Sequence, residues 1–160
     1  NEFQRANDLE RRVTNSRPFI VVKDPGIKPL PNSPPFRLMF LFENGGVNAA
    51  RDLTALLLII PRSLDTPPIV KADMGPLGND VPRGEPTPWY FDDVQMAAEV
   101  PQMFVFVRLS YRDAITEQAY SQPFYMKWGG VQKGQTNPAF THAGKDESTA
   151  IARYVKDRGF

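Results

Sequence analysis

Phe36-Arg37-Leu38-Met39-Phe40-Leu41-Phe42-Glu43 and Met103-Phe104-Val105-Phe106-Val107-Arg108-Leu109-Ser110-Tyr111 decide the fold class of this chain. In the first run Phe36, Leu38, Phe40 and Phe42 share one face, while Met39 and Leu41 take the other. In the second, Met103, Val105, Val107, Leu109 and Tyr111 fall in phase. An apolar side chain at every second position is the period of a strand, and bulk on both faces marks strands covered on both sides.

Working outward, Phe19 to Lys23 reads as a short first strand rich in β-branched residues. Asp24-Pro25-Gly26 reads as a turn, and Pro29, Pro31, Pro34 and Pro35 as an extended linker into the Phe36 strand. Asn44-Gly45-Gly46 supplies a reversal. Ala49 to Ile60 fits both periods: Leu53, Leu56, Leu57 and Ile60 suit a helix, but the turn before the segment and Pro61 after it favour a strand. Ile69 to Asp73 is a short strand, Met74 to Pro88 a Gly/Pro-rich loop, and Trp89-Tyr90-Phe91 the start of another strand. Gln118 to Trp128 is the last strand, where Pro123 requires an edge or a bulge. Gly129-Gly130 closes the sheet region, and residues 131 to 145 are polar and irregular.

Two short helices flank these strands. Phe3, Ala6, Leu9 and Val13 make a thin apolar stripe over residues 2 to 14, ended by Arg17-Pro18. That stripe fits a helix lying on the domain or, preferably, the exposed end of a helix leaving a membrane. Near the other end, Ala150, Ile151, Tyr154 and Val155 form an apolar face, with Asp146 expected as the cap and Gly159 as the stop. The division is 1–17 as N-terminal helix or juxtamembrane segment, 18–130 as β-domain, and 131–160 as polar linker and C-terminal helix. About seven short strands joined by Gly/Pro turns predict an all-β, antiparallel β-sandwich, with a small barrel as the runner-up.

Composition narrows function mainly by exclusion. The chain has 160 residues, of which 41% are hydrophobic. A chain of that length buries roughly two thirds of its unfolded surface without a staple. Zero cysteines exclude thiolate catalysis, zinc–thiolate sites and disulfides. With 19 basic and 18 acidic residues the net charge is +1. Such a balance creates no field for nucleic acid, and basic residues do not interleave with the aromatic clusters, so no nucleic-acid partner is expected. No window reaches the ~18 apolar residues of a membrane span. The chain begins with Asn1 rather than Met, which leads to the expectation of an upstream segment: a leader, a tag or a membrane anchor.

Phe42-Glu43-Asn44-Gly45-Gly46-Val47-Asn48-Ala49-Ala50-Arg51-Asp52-Leu53 resembles a recurring stretch of bacterial immunoglobulin-like domains, in which a strand ends in Asn-x-Gly before the next begins. Tyr111-Arg112-Asp113 followed by Gln118 to Tyr125 resembles a hairpin of membrane-anchored bacterial proteins of unknown role. The resemblance covers residues 18 to 130. It implies an immunoglobulin-like sandwich preceded by one or two membrane helices, and it implies no catalytic residues.

Each chemical candidate has a plainer reading beside it. His142, the only histidine, sits in a polar stretch outside the strands and reads as exposed. Asp92 and Asp93 with Glu99 lack the spacing of a calcium loop and read as surface carboxylates. Asp113 and Glu117 are the residues of a carboxylate-pair mechanism, but an aspartate in a strand connection more readily caps the turn. Gly75 to Asp80 lacks the Gly-Lys-Ser/Thr of a phosphate loop. Trp89-Tyr90-Phe91 and Phe124 to Trp128 read chiefly as core. An aromatic last residue, Phe160, invites comparison with outer-membrane barrels, which the irregular alternation argues against.

The function expected is a non-enzymatic binding or sensing module of a membrane-anchored bacterial protein. It takes a protein partner or small ligand and no cofactor or metal, and its recognition surface is the 74–93 loop with Trp89, Tyr90 and Asp92. The alternatives are a carboxylate-based hydrolase acting on carbohydrate and a structural subunit of an envelope assembly. The sequence fixes neither the ligand nor the oligomeric state.

Overall fold

A computed structural model describes residues 1–30, 36–96, 102–129 and 140–160, with the backbone alone described for 10–15, 24–30, 36, 37 and 92–96. The elements in order are α1 (Glu2–Ser16), β1 (Ile20–Leu30), β2 (Phe36–Asn44), β3 (Ala50–Pro61), β4 (Val70–Met74), β5 (Thr87–Met96), β6 (Met103–Asp113), β7 (Ala119–Trp128), β8 (Phe140–His142) and α2 (Lys145–Asp157). The strands form two sheets, ordered β1-β2-β5 and β4-β3-β6-β7-β8, and every strand pairs antiparallel with its neighbours. The protein is therefore all-β, with two short flanking helices.

Both sheets contribute to one core. Leu38, Phe40, Phe42, Trp89 and Phe91 come from the smaller sheet, and Leu57, Ile59, Val105, Val107, Met126 and Trp128 from the larger. Rings meet across the gap: Phe42 and Phe124 lie 6.2 Å apart, and Phe40 and Phe140 6.0 Å. The two runs that open the sequence reading are β2 and β6, and each is flanked on both sides by other strands.

The ambiguous Ala49–Ile60 segment is strand β3, pairing β4 on one side and β6 on the other. Its helix-like spacing has a physical reason. Leu57 and Ile59 enter the shared core, while Leu58 and Ile60 enter a second cluster on the opposite face with Phe104, Phe106, Ile151, Tyr154 and Val155. A strand buried on both faces loses the period-two signature. The cover on that second face is α2.

Several sequence expectations need correction. Asp24-Pro25-Gly26 is no turn between elements; it lies inside β1, where the register passes from Val22↔Phe42 to Ile27↔Phe40. Five steps along β1 oppose two along β2, so the extra residues bulge out of the ladder and β1 continues through Pro29. As β1 is an edge strand, that proline is tolerated. Gly129-Gly130 does not close the sheet, because β8 adds Phe140, Thr141 and His142 against Trp128, Lys127 and Met126. Asp146 is not the cap of α2: Gly144 occupies that position and its N–H donates to the Glu147 carboxylate at 3.1 Å. Pro31, Pro34, Pro35 and Glu99 lie outside the described residues. Pro123 fits its expectation: β8 pairs only Met126–Trp128, so β7 is an edge where Pro123 sits.

Candidate functional site

The motifs that carry the resemblance meet at the end of the domain where α1 enters. β2 ends at Asn44, which is fully buried. Its side-chain Nδ2 donates to the carbonyls of Asn48 (2.8 Å) and Val81 (3.1 Å), and its Oδ1 accepts from the N–H of Gly46 (2.9 Å) and Phe19 (3.3 Å). One amide thereby ties the β2–β3 loop to the start of β1 and to the β4–β5 connection. Asn48 continues the network by donating to both Asp113 oxygens, at 3.2 and 3.0 Å, and its backbone N–H reaches the Ser16 carbonyl at 2.8 Å.

Asp113 closes the β6–β7 turn, accepting from the N–H of Ile115 (2.8 Å) and Thr116 (3.1 Å). Burial opposes its ionisation, but the bonds from Asn48, Ile115 and Thr116 outweigh burial and hold the carboxyl below its ordinary value. A carboxylate engaged in this way caps and braces; it has little basicity left for proton transfer. Glu117, its expected partner in a hydrolytic pair, is exposed at φ 62°.

A second brace lies beside the first. The Tyr111 hydroxyl is hydrogen-bonded to the Pro18 carbonyl (3.3 Å) and to the Gln122 side-chain oxygen. Gln122 also grips Ile20 by its amide, accepting from the N–H at 2.7 Å and donating to the carbonyl at 3.0 Å. Burial pushes the Tyr111 phenol up to about 12. Gly46 permits the close approach on which both braces depend: a Cβ there would lie 2.0 Å from the Arg17 carbonyl oxygen and 2.7 Å from the Pro18 Cα. Side chains of β2, β6 and β7 thus fix the path of residues 16–20, the exit of α1. The helix itself leaves Phe3 72% and Leu9 63% exposed.

The sequence-chosen recognition residues separate. Trp89 is 6% exposed and packs with Phe42 and Phe91 at 6.2 and 5.9 Å, inside the core. Tyr90 is 41% exposed on the other face of β5. Asp92 lies two residues further along the same strand, its side chain outside the described residues. In the 74–93 loop, Val81 is buried and bridged to Ala50, the Leu77 N–H reaches the Leu53 carbonyl at 2.9 Å, and Asp80 pairs with Arg51 at 3.3 Å. His142 is exposed on β8. Among the described residues no cluster of three or more His, Cys, Asp or Glu side chains is arranged to hold a metal. No helix among them is long and apolar enough to cross a membrane.

Sequence reasoning read Asn44 as turn chemistry and gave no role to Gln122. The available signal was polar residues in a strand-like phase: Asn44 is two residues beyond the core position Phe42, on the same face, and Gln122 sits opposite the core residue Leu109. No protein-family model, curated protein or solved structure matches the chain.

Proposed function

We propose that this chain is a non-enzymatic binding or sensing domain of a membrane-anchored bacterial protein, folded as an immunoglobulin-like β-sandwich. The strand order supports the fold. Strands 1, 2 and 5 in one sheet and 4, 3, 6 and 7 in the other follow the Greek-key order of such sandwiches, with β8 appended at one edge.

The observation that carries the anchored reading is the double brace around residues 16–20. Buried polar side chains are costly unless bonded, and here Asn44 holds the Phe19 N–H, Tyr111 the Pro18 carbonyl and Gln122 the backbone of Ile20, while Asp113 braces Asn48, whose N–H reaches Ser16. A helix with Phe3 and Leu9 exposed and a braced exit suits a stalk that holds the domain at a set orientation to a bilayer. Recognition falls to the loops and to β5, where Tyr90 is exposed, Asp92 follows two residues along the strand, and Trp89 is part of the core. The saturated state of Asp113 weighs against the carboxylate hydrolase.

Fractionation of cells expressing the full gene product from its own start codon tests the anchor. The product should sediment with membranes and resist alkaline carbonate; release into the soluble fraction would refute the anchored reading.

A further inference from the structure

We propose that Asn44–Gly45 is a self-modification site that the fold keeps shut and that release of the α1–β1 junction opens. Once released, Asn44 converts to aspartyl and isoaspartyl forms that cannot rebuild the brace. The inference holds whether or not the domain is anchored. Asn44 is the only asparagine in the chain followed by glycine. The chemistry is internal to that pair. The deprotonated Gly45 nitrogen attacks the Asn44 Cγ, a succinimide ring closes, and Nδ2 leaves as ammonia. Water then opens either imide carbonyl, giving aspartate or, with the chain rerouted through Cγ, isoaspartate. Glycine suits the second position because it has no Cβ to hinder the attack and its backbone turns freely into the geometry of ring closure.

The fold blocks both reacting atoms. The Gly45 N–H donates to the Phe19 carbonyl at 2.9 Å, which keeps the proton on the nitrogen that must lose it. The Asn44 side chain is fully buried, and its bonds to the Asn48 and Val81 carbonyls and from the Phe19 and Gly46 N–H groups fix the carboxamide in one orientation. Its Cγ cannot swing toward the Gly45 nitrogen without breaking them. The Phe19 ring also lies against Gly45, within 2.5 Å of where a Cβ would stand. Phe19 therefore guards the pair three times: its carbonyl holds the nucleophile, its N–H holds the amide, and its ring flanks the approach. Displacing residues 16–20 withdraws all three together.

The conversion runs one way. An aspartate at position 44 has no N–H to give, and its carboxylate would face the carbonyl oxygens of Asn48 and Val81, which the amide now meets at 2.8 and 3.1 Å. A buried charge against two acceptors is costly. Isoaspartate adds a carbon to the backbone at the end of β2 and displaces Gly45 and Gly46 from the Arg17–Phe19 backbone. The site thus turns a transient opening at the exit of α1 into a permanent one.

Incubation of the whole chain in mildly alkaline buffer, with and without urea, followed by peptide mass mapping, tests the site. In urea Asn44 should convert faster than any other asparagine. In native buffer it should convert at least about tenfold more slowly, because reaction waits on a local opening. Gly46→Ala, which wedges the junction apart at Arg17, should speed native conversion at least about fivefold. Ile151→Ala, which weakens the α2 cover on the other face of the larger sheet, should leave it unchanged. All three chains should convert alike in urea. Asn44→Asp should lower the folding equilibrium constant at least about tenfold, and failure to fold is the extreme of the same result. A native rate equal to the urea rate, equal acceleration by Ile151→Ala and Gly46→Ala, or an Asn44→Asp chain as stable as the parent would overturn the proposal. Should Gly46→Ala fail to fold, Tyr111→Phe, which frees the Pro18 carbonyl, takes its place: faster native conversion supports the proposal and an unchanged rate contradicts it.

Discussion

The two helices are of similar length and pattern, yet the molecule treats them differently. α2 lays Ile151, Tyr154 and Val155 onto Leu58, Ile60, Phe104 and Phe106 of the larger sheet, and all seven are buried. It is fastened at both ends as well: the Tyr154 hydroxyl donates to the Thr66 carbonyl at 2.6 Å, Glu147 pairs with Lys127 at 2.9 Å, and Arg108 holds Phe160. Among the described residues, α1 is fastened where it meets β1, and its Phe3 and Leu9 remain in solvent. Amphipathic spacing says that a helix has a face to cover; only the rest of the fold says with what. For α2 the cover exists because β3 and β6 are apolar on both faces, which leaves the outer face of their sheet in need of a lid.

The sharpest way to break this contrast is to remove each helix in turn. A chain ending at residue 143 uncovers Leu58, Ile60, Phe104 and Phe106 and should lose cooperative thermal unfolding or aggregate, since an apolar sheet face of that kind is an association surface. A chain starting at residue 17 keeps the braces on Pro18 and Ile20 and should melt within a few degrees of the parent, as Phe3 and Leu9 of the helix it lacks are exposed. Calorimetry of the two truncations reads the difference directly.

Point substitutions refine it. Ile151→Ala should cost about 2–5 kcal/mol in urea unfolding, the usual range for a fully buried aliphatic side chain, whereas Leu9→Ala should stay within about 0.5 kcal/mol. Next in size comes Gly46→Ala, whose new methyl meets the Arg17 backbone rather than a flexible side-chain tip. A loss of about 2 kcal/mol is expected; an unchanged midpoint would mean that the α1–β1 junction is not packed as described. Tyr154→Phe, which deletes only the bond to Thr66, should cost about 1 kcal/mol.

The two ends also bear on acid stability. Asp113, in the brace beside α1, and Glu147, bonded to Lys127 and the Gly144 N–H at the start of α2, both titrate below their ordinary values of 3.8 and 4.5. A depressed folded-state pKa contributes stability that is present above the unfolded value and lost as pH falls through the folded one. Unfolding free energy should therefore be flat above about pH 5 and decline below the two ordinary values. In Asp113→Asn the decline should be shallower; an identical acid limb would show that the brace does not depend on the charge.

Much of the fold was legible because β2 and β6 carry their pattern on the chain itself, as do the apolar stripes of both helices. The parts that were not legible depend on neighbours. The bulge at Asp24–Gly26 carries the residues of a turn, and only pairing with β2 on both sides reveals a continuing strand. β8 is too short to show a period. Trp89 stood next to a loop in sequence, but its place in the alternation with Phe91 turns it inward.

Native-state hydrogen exchange tests the central claim most directly, that α2 belongs to the cooperative unit while α1 only projects from it. The amides of Tyr154 and Val155 should exchange at the free energy of global unfolding, together with those of Leu57 and Val107, while those of Arg5 to Leu9 should show little protection. Protection of α1 equal to that of the core, or exchange of α2 well ahead of β3 and β6, would contradict it.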